Sequence, residues 1–534
     1  MKNKILYLGL AAVLATSMVS CTNDFENTNT DPNNMNVGDL HNPYEMFEPL
    51  FYGMTRTCWT YYSWFWNDEL AQYTVFSGGT TREENRYKIG EANFSSVWNT
   101  YCSYGNNCQH MIDMAVKYDV PAAQAVGMTL KVLIMSNLTD MYGDIPYKQA
   151  FQARSENAIV EPEFESQKQV YEDMLADLDS ANNLYAAYIK KNSSNIDADF
   201  STMDQMYGGD MTKWRKFNNT LMMRLLCRVS GRSEMNAGER VQNMLDHSTK
   251  YPIFTSNSDN AVVNLTGNDP YQSYFHNMLK SNFTSSSYHA AEEVIKLMVY
   301  VDSVGIQSYF DPRLPIWFVE GSNGWAGAIS GGTPSERAQS GNDAAQLNYE
   351  VFVRDAAPIN IMDYAEEQFI LAEMALKGEI SGGEQAAKQY YEAGVTASMQ
   401  KWAPWGAFST TPRYITDDDI ATYLASPLGS WDHYANKEQA IGEQKYLALF
   451  WTGMEAFHEI RRTGYPELTI GNGTDYNDYQ YPQRFAYSNT TLANNAAQVQ
   501  AALSRMGGDN SMKTPVWWSK QAITGKLLFT YTAH

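Results

Sequence analysis

Cysteine is scarce in this chain, with five residues among 534. Disulfides therefore cannot be the main source of stability, and the hydrophobic content of 44% indicates a large buried core instead. Cys102 and Cys108 would lie about 9 Å apart along the axis of a continuous helix, too far for a disulfide, so they can pair only if the chain turns near Gly105. No CxxC or paired-histidine spacing indicates zinc. The pairing stays open for the four later cysteines, Cys58, Cys102, Cys108 and Cys227.

Basic residues are also few. Lys and Arg number 39 against 60 Asp and Glu, which gives a formal net charge of -21. No basic stripe is present that could displace counterions from phosphates, so the sequence excludes nucleic acid as a partner. So many Asp residues make a structural Ca²⁺ conceivable, but no DxDxDG-type loop places one. We predict no cofactor and no metal ligands.

Long apolar runs are absent after the first 20 residues, since no later segment offers 18 consecutive apolar residues. The one apolar run lies at the start, where Met1–Lys4 is basic and Ile5–Val19 is mostly apolar. This run is too short for a stable membrane span of about 20 residues and has the form of a secretory signal. We therefore predict that residues 1–20 direct export.

The residues that follow predict how the exported chain is held. Met18-Val19-Ser20-Cys21 resembles a bacterial lipoprotein box, although Met18 stands where Leu is commoner. Cys21 is then the lipidated first residue of the mature protein, and residues 21–45 form a flexible tether rich in Asn, Asp and Thr. The alternative is a soluble secreted protein with an accidental cysteine.

Helical spacing dominates the rest of the chain. Apolar residues at i, i+4, i+8, i+11 and i+15 predict an amphipathic helix through Val170, Met174, Leu178, Ala181 and Tyr185.

Pairs of helices follow from the same patterns. Ile361–Lys377 and Glu384–Trp402, joined by a glycine turn at 381–383, predict a hairpin close in size to a tetratricopeptide-type unit. Similar pairs are predicted for 122–142 with 166–185 and for 212–229 with 237–245. Long stretches rich in Gly, Ser, Asn and Thr separate the helices, and loops of this length are usually functional or disordered. Their aromatic content argues against disorder. These stretches are 76–87, 251–287, 320–347 and 464–495.

Seven motifs together resemble one known family. In chain order they are YGDIPYKQA at 142–150, EPEFESQKQVYEDMLADLDSA at 161–181, KWRKFNNTLMMRLLCRVS at 213–230, DPRLPIWF at 311–318, MDYAEEQFILAE at 362–373, QKYLALFWTGMEAFHEIRRTGYP at 444–466 and KTPVWW at 513–518. In this order they resemble the SusD/RagB family of outer-membrane nutrient-binding lipoproteins of Bacteroidetes, in particular the SusD-like branch that opens with an NTDPNN tether.

The resemblance implies a mostly α fold and a single SusD-like domain at 46–534. About four tetratricopeptide-like helix pairs would form a scaffold, and an irregular, loop-rich half would carry the ligand surface. The resemblance also implies a lipid-anchored outer-membrane protein on the cell surface that catalyses nothing. Such proteins capture oligosaccharides, or peptides in some members, and deliver them to a partner TonB-dependent transporter of SusC-like type.

The enzyme motifs that we sought are missing from the sequence. His458-Glu459-Ile460-Arg461-Arg462 starts like a zinc-protease motif but has Arg462 where the second histidine must stand. No GxSxG elbow, P-loop or GxGxxG signature is present. We instead expect Arg461 and Arg462 to end a helix that begins near Gln444 and to join a buried ion network. We expect Trp517 and Trp518 to fill the core at the end of the domain.

A sugar-binding site needs exposed aromatic platforms beside hydrogen-bonding side chains, because sugar rings have an apolar face and a fringe of hydroxyls. The aromatic segment 59–66 and the polar loop 77–87 supply both, and the equivalent region contributes to the ligand surface in the resembling proteins. The alternative is that Trp64 and Trp66 pack beneath the loop as core. The predicted ligand-binding residues here are the platforms Trp66 and Tyr73 and the polar contacts Arg82, Asn85 and Tyr87.

Trp325 is a further predicted platform. Its neighbours Gly324, Ala326 and Gly327 are too small to bury it from both sides. Three interpretations remain open for the ligand: a glycan-capturing lid, whose binding survives high salt; a RagB-like peptide-capturing lid, which binds basic peptides in a salt-sensitive manner; and a structural component of a surface complex that binds no nutrient. The sequence does not name the polymer.

Overall fold

The computed structural model describes residues 41–78, 82–153, 157–283, 288–322, 324–409 and 411–519. The predicted signal at 1–20, Cys21 and most of the tether at 21–45 lie outside the described residues. Within the part of the chain that is described, every helix is too short or too polar to cross a membrane.

The fold is mostly helical, and four pairs of helices form its frame, which confirms the predicted scaffold. Polar caps start several of them: the Ser166 and Asp210 side chains accept hydrogen bonds from backbone N–H groups of the first turn that follows each. The pairs are Glu91–Lys117 with Pro121–Tyr142, Gln167–Lys191 with Met211–Arg228, Tyr364–Leu376 with Gly383–Trp402, and Lys437–Ala448 with Glu455–Thr463.

The pairing of the first helices differs from the prediction by one element. Pro121–Tyr142 packs against Gln167–Lys191 as expected, but it also packs against Glu91–Lys117, which starts the series. The sequence did not reveal that first helix as a pair member because many Asn and Ser residues interrupt its apolar spacing. The predicted pair at 212–229 and 237–245 is therefore corrected, since Met211–Arg228 has Gln167–Lys191 as its main partner.

Gly105 does not form a turn. Because it has no side chain, it leaves room for a neighbouring one. Glu91–Lys117 is continuous through it, and a Cβ at Gly105 would lie 2.7 Å from Cζ of Phe151. Cys102 and Cys108 consequently stay unpaired, and all four described cysteines are free.

Shorter elements fill the irregular half of the molecule. Its further α-helices are Phe47–Met54, Asp68–Leu70, Ala198–Ser201, Ala237–Asp246, Lys280–Phe283, Glu292–Met298, Leu314–Trp317, Pro334–Gly341, Tyr349–Phe352, Asp417–Ala425, Asn489–Asn494 and Ala496–Met506. Its strands are Thr74–Phe76, Ala261–Val263, Tyr288–Ala290, Val299–Val301, Gln307–Phe310, Phe318–Val319, Gln346–Leu347 and Ile359–Met362.

The largest sheet ties the N-terminal aromatic segment to the middle of the chain. Its strands lie in the order Thr74–Phe76, Tyr288–Ala290, Gln346–Leu347 and Phe318–Val319, and all neighbours are antiparallel. Phe76 pairs with Tyr288 across the first two strands. The strand that precedes the polar loop and the strand that precedes Trp325 thus lie at the two opposite edges of this sheet.

One helix prediction is wrong near the C-terminal end. The sequence predicted a single helix from Gln444 to Arg462, whereas Lys437–Ala448 and Glu455–Thr463 are separate helices. Trp451 and Gly453 have φ angles of 64° and 56°, and this left-handed backbone cannot continue a right-handed helix.

The predicted ion network is present and buried for Arg462, and we define it by seven side chains. Arg461 lies outside it and donates to the Gln483 carbonyl oxygen at 2.7 Å. Glu459 is the centre of the network, because Arg228 Nη1, Arg462 Nε and Lys445 Nζ all donate to its carboxylate. Trp518 closes the network, donating from Nε1 to Asp140 Oδ1 at 2.7 Å, which confirms its predicted place in the core. The members are Asp140, Arg228, Glu373, Lys445, Glu455, Glu459 and Arg462.

Candidate functional site

A half-buried aromatic surface lies on the first helical segment of the domain and the loop at 271–274. We term it the Tyr61 face. Its rings and guanidinium group keep part of their surface open to solvent, whereas the neighbouring side chains Trp59, Trp64 and Trp66 are buried. The Tyr61 face consists of Tyr52, Arg56, Tyr61, Phe65, Tyr271 and Tyr274.

The local backbone decides which rings face outward. Phe47–Met54 is α-helical, but Thr55–Tyr61 and Ser63–Asn67 are π-helical, with a wider turn that inserts an extra residue. Arg56 and Tyr61 are five residues apart, the spacing of a π turn, so they share one face. π turns are rare and occur frequently at functional sites, which is a second reason to examine this segment.

The rings form a contiguous layer. Tyr61 stacks on Tyr274 with centroids 4.8 Å apart at 27°, and Phe65 lies 5.1 Å from Tyr61. Tyr52 and Tyr271 meet edge to face at 5.5 Å. The layer therefore offers several adjoining apolar surfaces rather than one isolated ring.

Hydrogen-bonding groups border the layer. The Arg56 guanidinium carbon lies 5.3 Å from the Tyr274 ring and 5.9 Å from the Tyr52 ring, in cation–π range of both. Burial, followed by the neighbouring Tyr274, raises the pKa of Tyr61, and burial raises the pKa of Tyr274 despite the nearby Arg56. Both phenols therefore stay protonated at neutral pH and can donate hydrogen bonds.

Arg82, predicted as a polar contact, lies against the Tyr61 face, and its contact with a ligand stays a prediction. Its guanidinium carbon is 3.8 Å from the Phe65 ring centroid, and Nη2 donates to the Phe65 carbonyl oxygen at 2.9 Å. Arg82 is partly buried and also lies near Glu84. It thus holds Phe65 in place, and part of its guanidinium group stays exposed beside the Tyr61 face.

Trp66 and Tyr73 lie in the core, which corrects their prediction as platforms. Trp66 is 3% exposed and packs on Phe485, while Tyr73 is fully buried. The Tyr73 ring stacks on Tyr446 at 4.1 Å, and its hydroxyl donates to the Tyr446 carbonyl oxygen. Rings without accessible surface cannot stack on a sugar in this conformation.

Asn85 and Tyr87 are buried as well, so their prediction as polar contacts is corrected too. The Asn85 amide donates to Glu69 Oε2 at 2.6 Å, and the Tyr87 ring meets Tyr481 edge to face. Burial raises the pKa of Glu69 to about 7, although Arg82 and the Asn85 amide act in the opposite direction. These contacts organise the loop beneath the surface.

Trp325 is half-buried, in a loop beside the hairpin formed by Val299–Val301 and Gln307–Phe310. Gln307 Nε2 donates to the Trp325 carbonyl oxygen at 2.9 Å, and its ring centroid lies 6.5 Å from Phe310. Among the described residues its ring pairs with Phe310 and not with the rings of the Tyr61 face. The hairpin tip exposes Val304 at 76% and Ile306 at 60%, so Trp325 borders an apolar patch.

The sequence identified the aromatic segment 59–66 as part of the site but did not single out Tyr61 and Phe65, whose rings face outward. A signal was available: Tyr52, Arg56, Tyr61 and Phe65 follow steps of four, five and four residues.

Regarding metals, the described part of the chain contains no group of three or more His, Cys, Asp or Glu that could hold an ion.

Most of the chain matches one known protein family. Residues 32–488 match a SusD-like family described as starch-binding and associating with the outer membrane. No curated protein matches the chain.

Solved structures share the fold. A SusD homolog from Bacteroides fragilis matches with a TM-score of 0.72 at 23% identity, covering 90% of this chain and 99% of that one. A SusD homolog from Parabacteroides distasonis matches with a TM-score of 0.74 at 22% identity, covering 90% and 98%. A chitin-binding SusD homolog from Flavobacterium johnsoniae matches with a TM-score of 0.70 at 23% identity, covering 91% and 100%. At these identities the structures establish the fold.

Proposed function

The chain belongs to the SusD-like family of starch-binding proteins that associate with the outer membrane, and from this premise we propose that it captures oligosaccharides at the cell surface through the Tyr61 face. Proteins of this family are binding proteins, and the chain is not an enzyme. The finer parts of the proposal are the ligand surface, the lipid anchor on Cys21 and delivery to a SusC-like TonB-dependent transporter.

The stack of Tyr61 on Tyr274 is the observation that carries the proposal. The two rings are 4.8 Å apart, and both keep surface open to solvent beside a guanidinium group and two protonated phenols. This combination fits a sugar, which places its apolar face on a ring and its hydroxyls against the polar border. The face continues to Tyr52 and Phe65, which lie more than three helical turns apart, so it can accommodate more than one sugar residue.

Charge favours a neutral polymer. The formal net charge of -21 repels acidic polysaccharides at long range. Of the two cations at the described Tyr61 face, Arg56 and Arg82, the second is paired with Glu84 at 3.4 Å. Stacking and hydrogen bonding therefore dominate binding, and we expect it to persist at high salt.

Retardation in native gels that contain a panel of plant, host and microbial polysaccharides tests the proposal. We would use the mature chain with Cys21→Ser, which removes the site of lipid attachment. At least one neutral polymer should retard it, and the double variant Tyr61→Ala, Tyr274→Ala should bind that polymer about tenfold or more weakly, a loss of roughly 1.4 kcal/mol or more. Tyr476→Ala, a tyrosine that is 52% exposed on another part of the surface, is the matched control and should bind normally.

Two outcomes contradict the proposal. The first is equal retardation of the double variant and Tyr476→Ala, since it would move binding away from the Tyr61 face. The second is salt-sensitive binding of basic peptides with no retardation by any polysaccharide, which would indicate a peptide-capturing lid.

Trp325 remains a proposed second contact, and its variant has a separate expected result. Trp325→Ala should reduce retardation by the same polymer severalfold, because the ring can supply a stacking surface at the end of the sheet. Co-purification with the transporter is measured in parallel. Normal polysaccharide binding together with lost co-purification would instead assign Trp325 and the hairpin at 299–310 to the partner interface.

A further inference from the structure

A cavity of about 410 Å³ lies apart from the Tyr61 face and shares no lining residue with it. It opens where the start of Met211–Arg228 and the strands Ala261–Val263 and Ile359–Met362 meet the end of Gly383–Trp402. We term it the Trp405 cavity. Its volume falls within the range of roughly 300–1,000 Å³ that is typical of small-molecule sites.

Aromatic rings line one side of the Trp405 cavity. Trp402 and Trp405 have centroids 5.1 Å apart, and Phe450 and Trp451 lie 5.7 Å apart. Trp405 is half-buried, whereas the other three rings are buried. Trp405 is therefore the ring with the most surface available to a ligand.

Five neutral amides also line the cavity. They are Asn257, Asn260, Asn264, Asn360 and Gln400. Among the described residues no carboxylate lines the cavity, which is unusual in so acidic a chain. Asn264 and Gln400 are exposed, and the Asn264 amide makes only a long hydrogen bond of 3.4 Å to the Val262 carbonyl oxygen. Both side chains can turn toward a ligand, and amides both donate and accept.

The two lysines of the lining are already engaged. Lys401 Nζ lies 2.6 Å from Asp363 Oδ2 and donates to the Ala448 carbonyl oxygen at 2.8 Å. Lys213 Nζ donates to the Ser258 carbonyl oxygen at 3.1 Å. The Lys401 charge is paired with Asp363, whereas Lys213 has no carboxylate within ion-pair distance among the described residues. The Arg354 guanidinium carbon also lies 4.7 Å from the Trp405 ring. The five amides of the lining outnumber these cations, which favours a neutral ligand.

Two polar atoms of the cavity wall have no hydrogen-bond partner among the described residues: Trp402 Nε1 and Asn360 Oδ1. The Asn360 amide nitrogen donates to Asp363 Oδ2 at 3.0 Å and to Thr452 Oγ1 at 2.9 Å, so Oδ1 is fixed as an unused acceptor. Both atoms are shielded from solvent, and a ligand reaches them only when neighbouring side chains shift. A buried polar group without a partner costs about 1–3 kcal/mol, which a hydroxyl group can recover.

Backbone strain marks the same place. Trp451 has a φ of 64°, a left-handed conformation that is a genuine outlier for a bulky side chain. Such strain persists only where the surrounding structure enforces it, and it clusters at ligand sites. Trp451 contacts Phe352 at 4.3 Å and Phe275 at 5.8 Å, which hold its ring at the cavity.

We propose that the Trp405 cavity binds one or two neutral sugar residues, with Trp405 as the stacking ring and the amides as hydroxyl partners. This inference rests on the proposed function and adds a second saccharide site to it. An open surface suits a polymer chain, whereas an enclosed cavity suits a short oligosaccharide or a chain end.

Isothermal titration with short probes tests the inference on the Cys21→Ser mature chain. The probes are maltotriose, triacetylchitotriose and a trimer of galacturonic acid. At least one neutral trimer should bind, and Trp405→Ala should weaken it tenfold or more. In the Tyr61→Ala, Tyr274→Ala background, where the Tyr61 face no longer contributes, that trimer should still bind, and adding Trp405→Ala should abolish the remaining binding.

Two further variants guard against a folding defect. Asn264→Ala combined with Gln400→Ala removes two exposed amides and should weaken the same trimer at least threefold while leaving the melting temperature unchanged. Phe408→Ala, in the same 3₁₀ helix Ala403–Phe408 but outside the cavity lining and 48% exposed, is the matched control for Trp405→Ala and should bind normally.

Three outcomes overturn the inference. A trimer whose binding is lost only in the Tyr61 and Tyr274 variant belongs to the Tyr61 face, and the proposed function then stands without the cavity. Tighter binding of the galacturonic acid trimer than of both neutral trimers excludes a neutral site. Absence of any trimer binding at millimolar concentration excludes the cavity as a sugar site, and the polysaccharide gels then decide separately whether the Tyr61 face binds.

Discussion

Replacing Glu459 with glutamine is expected to lower the free energy of unfolding by roughly 3–5 kcal/mol. Glu459 is buried at the centre of the ion network, where Lys445 Nζ lies 2.6 Å from Oε2 and Arg462 Nε lies 3.0 Å from Oε1. Burial alone would raise the pKa of Glu459, but Arg462, Lys445 and Arg228 hold it well below its usual range, so it is ionised at neutral pH.

The reason for so large an effect is the charge that the variant leaves behind. Arg228 also reaches Glu455, and Arg462 also reaches Glu373, so each of these cations keeps a carboxylate. Lys445 is 3% exposed, and its ammonium group has no other carboxylate within ion-pair distance among the described residues. An uncompensated buried charge is strongly destabilising even where the complete network adds little net stability.

Thermal unfolding of Glu459→Gln and of the unmodified chain measures this loss of stability. For a chain of this size the loss corresponds to a fall in Tm of roughly 3–5 °C. Asp432→Asn is the matched control, because it breaks an ion pair with Lys388 at 2.8 Å whose carboxylate is 76% exposed, and its Tm should not change. Equal melting of the two variants would show that the network does not depend on the charge of Glu459.

The helical frame was predictable because its signals are local. The apolar spacing in Gln167–Lys191 and the glycine turn between Tyr364–Leu376 and Gly383–Trp402 are readable within about 40 residues. Polar caps such as Ser166 and Asp210 also lie beside the helices that they start. Helix pairing was less predictable. Glu91–Lys117 has a weak apolar pattern, and its packing against Pro121–Tyr142 depends on tertiary contacts that a local pattern does not show.

The candidate site was predictable by segment but not by residue. A continuous α-helix and a helix with π turns present different rings outward, and the wider turns in Thr55–Tyr61 and Ser63–Asn67 bring Tyr61 and Phe65 to the surface while Trp66 faces the core. Deciding which rings face outward requires knowledge of whether the segment is α-helical or π-helical, and the tertiary packing determines that.

Distant partners explain the remaining errors. Tyr73 is buried by Tyr446, and Tyr87 by Tyr481, so each ring is covered by a side chain more than 370 positions further along the chain. The polar loop around them looked accessible because Arg82 and Asn85 are hydrophilic. The Asn85 amide instead donates to Glu69 in the interior, whereas Arg82 stays partly exposed against Phe65.

Replacing Glu367 with glutamine is expected to change how stability depends on pH. Glu367 is fully buried and forms no ion pair with any described residue, and its carboxylate accepts hydrogen bonds from Thr220 Oγ1 and the Phe254 N–H, each at 2.9 Å. Burial raises the pKa of Glu367 from 4.5 to about 8, although these hydrogen bonds act in the opposite direction.

The sign of the effect follows from the two pKa values. Below about pH 4.5 the carboxyl group is protonated in both states, so it contributes no pH dependence. Between pH 4.5 and 8 the unfolded chain ionises while the folded chain keeps the proton, so stability falls as pH rises and levels off above the folded pKa. Over this window the loss is on the order of 4 kcal/mol.

Denaturant unfolding of both proteins at pH 5, 6, 7 and 8 measures the difference in stability between the unmodified chain and Glu367→Gln. Other buried acids such as Glu69 titrate in both proteins and cancel, whereas the Glu367 contribution remains. The unmodified chain should lose stability relative to the variant at each step toward pH 8. Glu384→Gln, at an exposed position, should show a constant difference, and an equally constant difference for Glu367→Gln would mean that Glu367 ionises at its ordinary pH despite its burial.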